Sequence, residues 1–123
     1  MTSATTPITL YGIPNCDTVK KARMWLTDHD LDYTFHDFKK QGVPQPELDQ
    51  WLAQVGWEKL LNRKGTMWRK LDPATQASVV DAPTAKAVMM AQPSVIKRPV
   101  VQWGSAKVTV GFDAAAWAGA LDL

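Results

Sequence analysis

Ile8-Thr9-Leu10-Tyr11-Gly12-Ile13-Pro14-Asn15-Cys16-Asp17-Thr18-Val19-Lys20-Lys21-Ala22 is the stretch from which the fold of this chain can be read. Thr9 alternates with Ile8 and Leu10, the pattern of a short strand with one buried face. Gly12, Pro14 and Asn15 are turn formers, each for its own backbone reason. Val19, Ala22 and Leu26 recur at helical spacing, which predicts a helix burying one side. Asn15 or Asp17 is placed to accept the unpaired N–H groups of its first turn. Cys16 falls at the opening of that helix, where N–H groups and the helix dipole favour an anion.

The position matters because the thiolate is the nucleophile. A cysteine with a pKa of about 8.5 is only about 3% ionised at pH 7. A helix end supplies roughly 0.3–1 kcal/mol, up to about 2 in good geometry, and one pKa unit corresponds to about 1.4. The dipole therefore ionises about a quarter of the thiol, and full ionisation requires a cation as well. A free cysteine is commonly just a small buried apolar residue. Turn formers before it and a helix after it favour the reactive reading here.

The rest of the chain sets the bounds. Its 123 residues are enough for one domain with a real core. Hydrophobic residues make up 46% and charged residues 21%, ordinary globular values. A net charge of +2 is too mild to imply nucleic acid. With one cysteine there is neither an intrachain disulfide nor a cysteine-cluster metal site. Val19 stands where a Cys-x-x-Cys pair would need its second thiol, so any redox cycle must borrow that thiol from another molecule. No apolar run reaches the ~18 residues of a membrane span. Met1 to Pro7 lacks the regions of a signal peptide and reads as a flexible tail. A cytoplasmic location is expected, and a reducing compartment suits a lone functional thiol.

Along the chain, Asp28-His29-Asp30 ends the first helix, and Leu31, Tyr33 and Phe35 alternate with polar residues as a second strand, parallel to the first. Lys39 to Pro44 reads as a solvated loop. Pro46 opens a helix whose Leu48, Trp51, Leu52 and Val55 form an apolar stripe ended by Gly56. Trp57 to Leu61 reads as a short helical turn and Asn62-Arg63-Lys64-Gly65 as a loop. A helix starts at Asp72-Pro73, and Ala82-Pro83-Thr84 separates it from another over Ala85 to Gln92. Pro99 begins a strand, Gly104-Ser105 turns the chain, and Lys107 to Val110 returns as a hairpin. Asp113 caps a last helix, Ala114 to Leu121. His29 and His36 lack metal-ligand spacing, and Lys20, Lys21 and Arg23 read as a solvated helix face.

Three segments in this order resemble one family. They are Tyr11-Gly12-Ile13-Pro14-Asn15-Cys16-Asp17-Thr18, Leu60-Leu61-Asn62-Arg63 and Ile96-Lys97-Arg98-Pro99-Val100-Val101. The family is that of the glutaredoxin-coupled arsenate reductases, which also holds the Spx regulators and the YffB branch. The Gly-Ile-Pro-Asn-Cys-Asp-Thr form is most similar to the YffB branch.

The resemblance, from about Ile8 onward, implies an α/β, thioredoxin-like fold. It would order as β-α-β, a helical block, then β-β-α, with a four-stranded mixed sheet. Residues 1–123 would form one domain, 1–7 a tail and about 40–95 a helical insertion between the second and third strands. It implies a cis peptide before Pro99, Cys16 as nucleophile, and Arg63 and Arg98 as oxyanion-holding arginines. Arg98 is then the cation that the thiolate requires. A third family arginine is expected at the position of Gly111, and glycine there removes a charge and a bidentate donor.

The function implied is a glutathione-dependent thiol reductase forming a Cys16–glutathione mixed disulfide. Arg98 would stabilise the thiolate, and Arg63 and Lys64 would bind glutathione carboxylates. Asn15, with the backbone N–H groups of Asp17 and Thr18, would complete an anion nest beside Pro99. Glutathione enters as co-substrate, with a disulfide or oxyanion substrate and glutaredoxin as a candidate partner. No metal, nucleic acid or membrane is called for. The alternatives are arsenate reduction proper and an Spx-like regulator that docks on RNA polymerase.

Overall fold

The structure, a computed structural model, describes residues 7–104 and 107–121. In chain order the elements are β1 (Ile8–Gly12), α1 (Asp17–Asp28), β2 (Thr34–Asp37), α2 (Phe38–Gln41), α3 (Gln45–Val55) and α4 (Trp57–Leu60). There follow α5 (Thr66–Lys70), α6 (Pro73–Ser78), α7 (Ala82–Ala91), a 3-10 turn (Pro93–Val95), β3 (Val100–Trp103), β4 (Lys107–Val110) and α8 (Ala114–Ala120). The chain divides into two compact units: the residues through Asp37 together with those from Arg98 onward, and Phe38–Lys97 between them.

In the first unit, β1 satisfies its backbone on both edges. It pairs in parallel with β2 and antiparallel with β3, and β3 pairs antiparallel with β4. The sheet order is β2-β1-β3-β4, mixed and four-stranded as expected. A parallel pair needs a crossover, and α1 provides it. The alternation of β1 sends Ile8 and Leu10 to one face, where they meet Val19, Ala22 and Leu26 of α1, Val101 and Trp103 of β3, and Trp117 of α8. Trp117 sets its ring edge-on or face-on to Trp103, Phe112 and Trp25 at centroid distances of 4.9, 4.8 and 5.5 Å.

Several expectations shift. The second strand begins only at Thr34, because Asp30 takes a left-handed turn (φ 56°) that delays pairing. Of the expected tail, Met1 to Thr6 lies outside the described residues, whereas the Pro7 carbonyl accepts the Gly104 N–H at 2.6 Å. Arg23 is not on a wholly solvated face. Its guanidinium lies 4.1 Å from the Phe35 ring centroid and its Nε donates to the Tyr33 hydroxyl at 2.9 Å. Lys20 and Lys21 are exposed as expected.

The helical unit follows its apolar stripes. Leu48 and Trp51 of α3 are fully buried, Phe38 lies 6.2 Å from Trp51, and Gly56 terminates the helix. α3 packs with α4 and α7, and Lys86 of α7 pairs with Asp49 of α3 at 2.6 Å. Where Lys39 to Pro44 reads as loop, Phe38–Gln41 forms a helical turn anchored by buried Phe38. α7 begins at Ala82 rather than Ala85, because Asp81 and Thr84 form a reciprocal capping box and Pro83 fits the first turn. α5 and the 3-10 turn lack a sequence signal strong enough to be expected.

Trp117→Ala removes the ring that joins α8 to the sheet. It should lower unfolding free energy by about 3–5 kcal/mol, measured by urea denaturation.

Candidate active site

Cys16 is itself the N-cap of α1, with an extended backbone (φ −121°, ψ 124°). Its carbonyl accepts the Lys20 N–H at 2.9 Å, the first bond of the helix. This corrects the expected cap. Asp17 already has helical backbone, Asn15 lies one residue too early, and both are exposed. The sulfur therefore takes the place where a cap oxygen would face the N–H groups two and three residues on. Those belong to Thr18 and Val19.

The two effects on the thiol compete. Packing against the sheet unit's core pushes the pKa up. The Val19 N–H, the hydrogen bond and charge of Arg98, and the Thr18 N–H together outweigh it and hold Cys16 below an ordinary thiol. No full capping bond closes on the sulfur, so the two N–H groups act as oriented dipoles that reward charge. Arg98 adds a hydrogen bond and a positive charge to what the helix end supplies.

Val19 is the contributor that sequence reasoning missed. Reading Cys16 as the cap would have identified it, since the third residue after a cap is the usual donor. Its position depends on Gly12, where a Cβ would meet Val19 Cγ2 at 2.8 Å. A side chain at Gly12 would push the first turn of α1 away from the end of β1.

The Arg98–Pro99 peptide is cis, and Pro99 is buried. Its carbonyl accepts the Gly111 N–H at 2.8 Å, and Gly111 has φ 84°. The position at which the resemblance implies a third arginine therefore has a left-handed backbone that favours glycine. The structure brings together Cys16, Thr18 and Arg98, with Asn15 and Asp17 beside them in the chain. Arg63 and Lys64 stand exposed in the helical unit, where Arg63 is 3.9 Å from Glu58 and 5.5 Å from the Trp57 ring centroid. Among the described residues no three His, Cys, Asp or Glu side chains gather as a metal site. Nor is any helix long and apolar enough to cross a membrane.

The model of the ArsC family matches residues 11–120. The chain belongs to the ArsC family. Among its relatives, an uncharacterized protein of Haemophilus influenzae is 42% identical over 86% of this chain and 91% of its own. The global transcriptional regulator Spx of Streptococcus pyogenes is 26% identical over 86% of this chain and 78% of its own. Among solved structures, the YffB (PA3664) protein is 49% identical with a TM-score of 0.87, covering 93% of this chain and 98% of that one. An arsenate reductase related protein from Brucella melitensis is 48% identical with a TM-score of 0.74, covering 99% of this chain and all of the other. The fold is thus the thioredoxin-like fold of the ArsC family, with a helical insertion between the second and third strands.

Arg98→Met should move the Cys16 pKa up towards that of an ordinary thiol, followed by thiolate ultraviolet absorbance against pH. Because the folded-state pKa is the lower one, the unfolded chain binds more protons between the two values. Stability should rise with pH from the lowered folded-state pKa up to about 8.5, and Cys16→Ser should abolish that rise in urea titrations. Gly111→Arg should cost about 1–2 kcal/mol by the same measurement, because arginine must adopt the left-handed backbone.

Proposed function

We propose that this chain is a glutathione-dependent thiol–disulfide reductase with Cys16 as its single nucleophile. The observation that carries the reading is the Cys16 sulfur at the N-cap of α1 with Arg98 beside it. The Cys16 thiolate attacks the glutathione sulfur of a mixed disulfide. The new bond is Cys16–S–S–glutathione, and the electron pair leaves on the substrate sulfur, which takes a proton from solvent. A second glutathione thiolate attacks the glutathione sulfur, releasing glutathione disulfide and restoring the Cys16 thiolate. In sum, the mixed disulfide and one glutathione thiol become the free substrate thiol and glutathione disulfide. With one cysteine, resolution by an external thiol is the available route.

In this reading Arg98 holds the thiolate as both resting state and leaving group. Thr18 and Val19 N–H groups share that role, Asn15 and Asp17 line the mouth, and Pro99 shapes the backbone beside it. Arg63 and Lys64 are assigned to carboxylate binding. Glutaredoxin serves as an alternative resolving thiol, and the cytoplasm supplies the reducing pool.

Arsenate reduction by the same cysteine is the second reading, favoured by the arsenate reductase related protein from Brucella melitensis. Gly111 weighs against it, because arsenate would be held by two arginines instead of three. An Spx-like regulatory role rests on lower identity.

Intact mass of the reduced protein after incubation with glutathione disulfide, from pH 5 to 9, tests the proposal. The expected result is one glutathione on Cys16, added rapidly already near pH 6, and none on Cys16→Ser. Addition only above pH 8, or turnover of glutathione mixed disulfides by Cys16→Ser, would refute it.

A further inference from the structure

The end of α1 away from Cys16 carries a concentration of negative charge. From Thr27 to Phe38 the chain has four aspartates and neither lysine nor arginine, in a protein whose net charge is +2. Three of them, Asp28, Asp30 and Asp32, are exposed, and none of the three forms an ion pair among the described residues. Like charges gathered without a counter-ion repel one another, and a cationic partner removes that cost. The 12 residues of α1 span about 18 Å, which separates this end from the thiol.

A cleft of about 500 Å³ opens here, lined by Thr27, Asp30, Leu31, Asp32 and Tyr33. Its apolar members, Leu31 and Tyr33, pack on the core of the sheet unit. The backbone is tied as well. The Asp30 N–H donates to the Thr27 carbonyl and the Leu31 N–H to the Leu26 carbonyl, both at 3.0 Å. Arg23 Nε donates to the Tyr33 hydroxyl at 2.9 Å, which leaves that hydroxyl its own proton to donate. The cleft is thus formed before anything binds, which lowers the ordering cost of binding.

Beside the cleft the chain runs on into a sheet edge. β2 starts at Thr34, directly after Tyr33, and among the described residues only β1 pairs with it. Alternate residues of β2 turn their N–H and C=O groups to the outer side. An extended peptide can continue the sheet there, with main-chain bonds supplying affinity and a neighbouring pocket supplying selectivity. The other outer strand, β4, begins with exposed Lys107, a charge that disfavours a basic strand. Charge and cleft therefore select the β2 edge for a basic peptide.

We propose that the outer edge of β2 is a docking site for an extended basic segment of a partner protein, added as a fifth strand. Lysines or arginines of that segment meet Asp30 and Asp32, and an apolar side chain enters the cleft on Leu31 and Tyr33. This surface goes beyond the thiol chemistry and does not depend on it.

The test titrates the full-length Cys16→Ser chain with a blocked Lys-Val-Lys-Val-Lys pentapeptide at constant ionic strength, following backbone amide resonances. Removing the thiol makes the outcome independent of whether Cys16 is a reductase nucleophile. Saturable shifts at Leu31, Tyr33 and Thr34 are expected, with slowed hydrogen exchange of the outward β2 amides. Asp30→Asn with Asp32→Asn should weaken binding by about fivefold, because two exposed ion pairs are lost. Glu47→Gln with Asp49→Asn, which removes two carboxylates of the helical unit, should leave it unchanged. The same peptide with every backbone nitrogen methylated keeps its charge but has no ladder N–H groups, and should not bind. Shifts that do not saturate, unchanged exchange in β2, an equal loss from both double variants, or equal binding of the methylated peptide would overturn the docking site. The amide spectrum of each variant verifies that it is folded before titration.

Discussion

The close approach of Gly12 to Val19 is the constraint on which the sheet unit turns. It lets the first turn of α1 press against the end of β1, which seats Val19 in the core and aims the backbone N–H groups at Cys16. The same contact therefore serves packing and chemistry. Burial of Val19, Ala22 and Leu26 fixes the axis of the helix. The axis fixes where its positive end points, and Cys16 sits at that end as the cap. Arg98 arrives from the far side of the sequence, carried by the strand that pairs with β1. The backbone N–H groups and the guanidinium act together against packing in the core, which opposes ionisation.

Gly111 shows how backbone and site chemistry compete for one position. Its N–H ties the chain to Pro99, and its left-handed conformation fits the tight exit from β4. An arginine there would need a different backbone as well as a different side chain. Local geometry thus favours glycine at this position over any residue with a side chain.

Much of this was legible from residue types. The alternation of Ile8, Thr9 and Leu10, the stripe of Val19, Ala22 and Leu26, and the cap at Asp113 are local patterns, and local patterns survive folding. The Cys16–Arg98 pairing was legible only through family resemblance, because 82 positions separate the two residues and no periodicity connects them. Other features were hidden for physical reasons. The cap shifted onto Cys16 because capping depends on which residue last keeps extended backbone. The turn at Phe38 depends on a buried ring rather than on its polar neighbours. The pairing of the Lys97 N–H with the Leu60 carbonyl was hidden too, because it joins segments distant in sequence.

The lowered pKa of Cys16 has an electrochemical counterpart. The Val19 and Thr18 dipoles and the Arg98 charge stabilise sulfur only while it is an anion. A Cys16 sulfur bound in a disulfide is neutral and forfeits that stabilisation, so the same groups make any such disulfide more oxidising. These groups thus favour the reduced, ionised sulfur over the disulfide-bound one. For a one-cysteine protein exchanging with a one-thiol carrier, equal numbers of molecules stand on both sides of the equilibrium. The oxidised fraction then follows the ratio of carrier disulfide to thiol and is indifferent to the total pool.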